Sequence, residues 1–328
     1  MQILRVASLR SGRVSLLEHA IRTVVKDCLV IEPGERLTVV CDETTREIGE
    51  LMRAQGEAAG ATAELALMAP PGHDGEEPPE EVAAAMLASD AVLAPTAKSL
   101  SHTQARRRAT EAGVRVASLP GVTEEMLART MSVDLREVGQ LTVDIANRLS
   151  HAFVAHITCE NGSDLRLPLG ERRGVPDTGR LGRAGAFGNL PCGEGFIAPL
   201  EDRANGTLVV DGSIAGIGKL DEPARLELVD GRLVSATGPG EQLLAQLSAE
   251  GGENVAELGV GCNGRARVTG NVLEDEKVLG TLHVAFGASA SFGGDIQVAV
   301  HLDCVVLRPR LELDGELLVG DGRLHLSP

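Results

Sequence analysis

The sequence changes texture near residue 150, and that change constrains the fold more than any other feature. Over residues 15–120 helical and strand-like patterns alternate. Leu16 to Ile21 opens an amphipathic helix that runs to about Cys28. Apolar runs at 37–41, 63–68, 91–94 and 114–118 predict strands, and 44–58, 82–88 and 103–112 predict helices between them. Alternation of this kind predicts a parallel sheet with crossover helices. Residues 123–149 predict one more helix, leading out of the first domain. From His151 onward glycine is frequent and short β segments recur. Asn161-Gly162, Asn205-Gly206, Asp230-Gly231 and Asp314-Gly315 separate apolar runs there, which is the strongest short-range hairpin signal. One helix, at 239–250, interrupts them. The expected architecture is an α/β domain with a mainly parallel sheet over 1–150 and a β-rich α+β domain over 151–328.

Composition narrows the function classes. The chain has no Trp, no Tyr and only 5 Phe, so its core is aliphatic and it has no aromatic platform for single-stranded nucleic acid. A net charge of −16 opposes both nucleic-acid binding and an anionic membrane surface. No apolar run approaches the roughly 18–20 residues of a membrane span. Met1 to Arg5 lacks a basic flank leading into an apolar stretch, so no secretory leader is expected. The six cysteines are scattered, with no CxxC pair, and read as reduced, mostly buried thiols of a cytoplasmic protein. No glycine-rich phosphate loop follows any strand of the first half.

A few polar residues sit where a core strand should be apolar. His301 and Asp303 lie two apart in the run 298–307, so alternation puts them on one strand face, from which both can reach one metal. The alternative is a strand-end His hydrogen-bonded to its neighbouring Asp. His283 lies in GTLHVAFG and is either a satisfied core histidine or a ligand. Glu257, in VAELGVG, and Glu194, in the Pro/Gly-bounded GNLPCGEGFIAP, are costly to bury unless ligated or paired with Arg or Lys. The acidic run 274–276 before Lys277 reads as a solvated turn, or as a further carboxylate source near the His283 strand. Residues 98–103 fall at a strand's carboxyl end, where α/β sheets place ligand loops. Ser101 or Thr103 caps the following helix there, and His102 is a candidate substrate contact. Arg106 to Arg108 reads as an exposed helix face.

In order and spacing, these stretches form a family resemblance. The segments 188–199 (GNLPCGEGFIAP), 207–213 (TLVVDGS), 256–263 (AELGVGCN), 270–287 (GNVLEDEKVLGTLHVAFG) and 300–305 (VHLDCV) resemble the catalytic half of the aminopeptidase T/aminopeptidase S metallo-aminopeptidases. Residues 91–103 and 117–126 resemble the amino-terminal half of the family's shorter members. The resemblance implies two divalent metals, zinc, cobalt or manganese. Their ligands would be Glu194, Glu257, His283, His301 and Asp303, with Glu194 and Glu257 the expected catalytic residues. A metal-activated water would attack the carbonyl of a short peptide or small amide, and a homodimer is implied.

The chain departs from that family in having no tyrosine after the histidine of the apolar strand. The corresponding segment is 288–294 (ASASFGG), with Ser291 as its candidate substrate contact. Losing such a donor typically costs about 2.7–4 kcal/mol of transition-state stabilisation. The chain is also similar to the 2,5-dihydroxypyridine ring-cleaving dioxygenases. These use one iron(II) in a triad of two His and one carboxylate, which His283, His301 and Asp303 could supply. That resemblance places a histidine where this chain has Glu257, which favours the hydrolase expectation.

Overall fold

The computed structural model describes residues 16–326. Met1 to Arg5, read above for a leader, lies outside them. The chain forms two compact units that interleave in sequence. The first takes in the described chain up to Leu135 together with the returning segment Gly179–Cys192. The second takes in Arg136–Thr178 and the chain from Gly193 onward. Among the described residues no helix is long and apolar enough to cross a membrane.

The first unit is α/β. Its sheet runs in the order Thr62–Met68, Arg36–Asp42, Ala91–Ala94, Arg115–Ser118 and Phe187–Asn189, with every pairing parallel. The central strands are buried along nearly their whole length. That is why they read as unbroken apolar runs. Helices Arg46–Ala58, Glu80–Ala88 and Gln104–Glu111 connect them. Thr103 caps the last of these, its hydroxyl accepting from the Arg106 amide. The fifth strand, Phe187–Asn189, was hidden in a Gly-rich stretch and is what draws residues 179–192 back into this unit. Arg106 departs from the expected exposed face, because its guanidinium lies 4.2 Å from the Phe187 ring centroid. The single helix expected over 123–149 is two, Glu124–Thr130 and Leu135–His151. The Ser132 hydroxyl donates to the Ala128 carbonyl at the break, an alternative to the helix ladder that Ser readily offers.

The second unit holds two antiparallel sheets, one of eight strands and one of seven. Three of the four expected turn dipeptides do turn. Asp230-Gly231 and Asp314-Gly315 have positive φ at both residues, the backbone a tight hairpin demands. Asn205-Gly206 instead begins the strand Asn205–Val210. A Cβ on Gly206 would lie 2.1 Å from the Asp164 carbonyl oxygen, so that glycine permits close strand approach rather than a turn.

One aliphatic core joins the two sheets, with Leu165, Leu208 and Leu226 from the larger and Leu258, Val284, Phe286, Cys304 and Val306 from the smaller. In the smaller sheet the order is Gly218–Lys219, Ser213–Ile214, His301–Val306, Leu282–Gly287, Val255–Gly261, Glu194–Ile197 and Val175–Asp177. Alternation sends one face of its central strands into the core and leaves the opposite face for His283, His301 and Asp303. A bulge between Val255 and Glu257 shifts the alternation of that strand. It keeps Val255, Leu258 and Val260 in the core and turns Glu257 to the other face.

Candidate metal centre

Register brings the polar residues together. Asp303 pairs across to Ala285, and Ala285 to Glu257. His283 pairs across to Gly259, and Gly261 to Glu194. A Cβ on Gly259 would come within 2.0 Å of His283 Nε2, so only glycine lets the imidazole lie over that strand. His301, at the open end of its strand, is half-buried; Glu194, Glu257, His283 and Asp303 are buried.

The five side chains form two donor groups that share Glu257. Glu194, Glu257 and His283 present ligand atoms all within 4.8 Å of one another, and so do Glu257, His301 and Asp303. His283 Nε2 is 3.1 Å from Glu194 Oε2 and 3.1 Å from Glu257 Oε1. One N–H serves one acceptor, and Glu194 Oε2 is left buried without a hydrogen bond. His301 Nε2 lies 3.7 Å from Glu257 Oε2 and 3.6 Å from Asp303 Oδ1. His301 Nδ1 is 2.8 Å from the Ala288 carbonyl oxygen, so it carries the proton and Nε2 faces the carboxylates. Converging carboxylates and imidazoles with an orphaned buried oxygen fit divalent cations, whose oxygen and nitrogen donors these are.

Electrostatics show how unbalanced the cluster is. Burial opposes a charge on His283, yet Glu194 and Glu257 hold its pKa well above the ordinary value. Burial likewise opposes His301, but Asp303 and Glu257 raise it to about 10. Asp303, despite burial, is drawn down to about 2 by His301. Burial raises Glu257. Protons on the imidazoles stand where a cation would otherwise balance the carboxylates, so metal binding releases protons.

Lys277, Glu276 and Asp177 complete the cluster, and of the two sequence readings of the acidic run, a solvated turn or a further carboxylate source near the His283 strand, the second is the nearer one. The acidic run is no solvated turn, because Glu274, Asp275 and Glu276 are all buried. Glu274 accepts from the Arg267 amide, and Asp275 accepts from the Thr269 and Gly270 amides, so both pin the preceding loop. Glu276 faces Lys277, a fully buried lysine whose Nζ also meets Glu194 and Asp177. The available signal was a charged tetrad directly ahead of the GTLHVAFG strand.

Neither substrate-contact candidate belongs to the two donor groups. Ser291 is exposed in the 3₁₀ turn Ala290–Phe292. Its neighbour Phe292 lies edge-on to His301, with centroids 5.8 Å apart. His102 belongs to the first unit and is half-buried in the loop before helix Gln104–Glu111. Cys192, two residues before Glu194, and Cys304, next to Asp303, are buried and outside any disulfide.

An α/β unit and a two-sheet β unit carrying a buried carboxylate–histidine cluster define a two-unit enzyme fold with a metal centre. The sequence model of the 2,5-dihydroxypyridine 5,6-dioxygenase (NicX) family matches residues 17–326, and the chain belongs to that family. Among solved structures, 2,5-dihydroxypyridine dioxygenase from Pseudomonas putida superposes with a TM-score of 0.81 at 20% identity, covering 95% of this chain and 97% of that one. Wild-type AmpT from Thermus thermophilus superposes with a TM-score of 0.71 at 18% identity, covering 95% and 99%. No curated protein matches significantly. Both families named by the sequence resemblance therefore share the fold, while the family match itself lies with the dioxygenases rather than with the aminopeptidases expected first.

Proposed function

We propose that the protein is a metal-dependent hydrolase that cleaves a short peptide or small amide. The observation that carries this reading is the make-up of the donor groups. Neither contains two histidines: each pairs one imidazole with two carboxylates, and Glu257 serves both. An iron(II) site that binds oxygen between two His and one carboxylate needs a different set. Glu194, Glu257 and His283 would hold one cation, and Glu257, His301 and Asp303 the other. Divalent cations at such a site lower the pKa of a water and polarise a carbonyl.

The protein's own residues do the rest. The Ala288 carbonyl orients His301 so that Nε2 faces inward. Gly259 makes room for the His283 ring. Phe292 shields the edge of His301 without a phenol to donate, so this chain lacks the hydroxyl that a tyrosine there would offer. Turnover slower than that of a tyrosine-bearing relative is the expected consequence. A small substrate and a homodimer go with this reading.

The second reading, ring cleavage of a dihydroxypyridine-like diol, is favoured by the family match and by the superposition on the P. putida enzyme. The two separate in one assay pair. The metal-loaded protein is offered a panel of short peptides and, in parallel, 2,5-dihydroxypyridine in an oxygen electrode. Release of an N-terminal residue with no oxygen uptake is expected. Oxygen consumption on the diol with iron(II), and no hydrolysis, would replace the hydrolase reading with the dioxygenase one.

A further inference from the structure

Lys277 is the only lysine among the fully buried side chains of the described residues. It follows the short helix Val272–Asp275 and has no solvent to carry its charge. Its Nζ lies 2.5 Å from Glu194 Oε1, 2.6 Å from Glu276 Oε1 and 3.5 Å from Asp177 Oδ2. A buried ammonium persists only when so surrounded. The consequence for Glu194 is a division of labour between its two oxygens. Oε1 is held by Lys277, while Oε2 is buried, carries no hydrogen bond and stands 3.1 Å from His283 Nε2. The other donor group makes no ion pair with Lys277, whose ammonium acts on Asp303 only at longer range and less than His301 and His283 do. His301 is oriented by a backbone carbonyl, and Asp303 by His301.

We propose that Lys277 is a positioning residue that fixes Glu194 as a one-oxygen donor and thereby controls one of the two cation positions, the Glu194–Glu257–His283 one, far more strongly than the Glu257–His301–Asp303 position. This rests on the two-metal reading above. Without the ammonium, Glu194, Glu276 and Asp177 have no cation to converge on, and the Glu194 carboxylate turns away from its like-charged neighbours. Oε2 then leaves the donor group. Groups that hold a ligand from behind are worth on the order of 10–100-fold in metal affinity.

The test is titration of metal-free full-length protein with zinc alone, followed by calorimetry and by elemental analysis after gel filtration. Wild-type protein binds two equivalents. Lys277→Met is expected to retain one, at an affinity within about threefold of the corresponding wild-type step, an interval well inside the 10–100-fold loss expected of the other step. Glu194→Gln is expected to lose the same equivalent. Two equivalents at wild-type affinity in Lys277→Met would overturn the proposal, and so would loss of both. Should Lys277→Met not fold, Lys277→Arg decides, since it keeps the charge but moves it. One step weakened at least tenfold with the other unchanged supports the role, and two unchanged steps overturn it. Wild-type protein that binds fewer than two equivalents contradicts the two-metal reading itself and is told apart by that control.

Discussion

The parallel sheet of the first unit and the seven-stranded sheet of the second use buried strands differently. In the first, strands such as Ala91–Ala94 are covered on both faces and their side chains serve packing. In the second, Leu282–Gly287 is equally buried at every position, yet only Leu282, Val284 and Phe286 belong to the aliphatic core. His283, on the opposite face, meets two carboxylates instead. Burial alone therefore does not mark a core. A buried strand that alternates between aliphatic and ionisable residues has one face for stability and one for chemistry, and the two are separable by mutation.

The largest test of that separation is Glu257→Ala, which removes the carboxylate both donor groups share. Both metal equivalents are lost and turnover falls on the order of a thousandfold, read by elemental analysis and steady-state kinetics. On the other face of the same sheet, Phe286→Ala opens a cavity in a fully buried site. It costs about 3–5 kcal/mol in denaturant unfolding, while folded protein keeps its metal stoichiometry. Gly259→Ala lies at the contact between the faces, because its new Cβ meets the His283 ring. It is expected to cost about 1–3 kcal/mol and to weaken the cation position that uses His283. The smallest effect belongs to the first unit. Thr103→Ala removes a helix cap, costs about 1 kcal/mol and leaves metal binding unchanged.

Legibility in the sequence followed the same division. The three central parallel strands were readable because burial on both faces produces continuous apolar runs, and the edge strand Thr62–Met68, only partly buried, was readable from its apolar residues alone. The five candidate donors were legible as charged residues in or beside apolar strands, and it was the family resemblance that grouped them as one set. The residues behind them were readable only in part, since the acidic run also reads as a carboxylate source near the His283 strand. The tetrad from Glu274 to Lys277 has the composition of a solvated turn, and only its packing against the site sheet shows that its charges are buried and paired. Phe187–Asn189 escaped because three residues next to glycines carry no periodicity. Asn205-Gly206 was misread because a glycine needed for strand approach looks like one needed for a turn. The break between Glu124–Thr130 and Leu135–His151 depends on a local hydroxyl-to-carbonyl bond that a helical pattern does not display.

A dinuclear centre on one face of the seven-stranded sheet, as proposed above, must hold two cations among its carboxylates and imidazoles. Elemental analysis of protein purified without added metal, then reloaded with zinc, manganese, cobalt or iron(II) under anaerobic conditions, tests it most directly. Two equivalents of zinc, manganese or cobalt per chain are expected in wild type and none in Glu257→Ala. A single equivalent retained only as iron(II), or the same metal content in Glu257→Ala as in wild type, would contradict it.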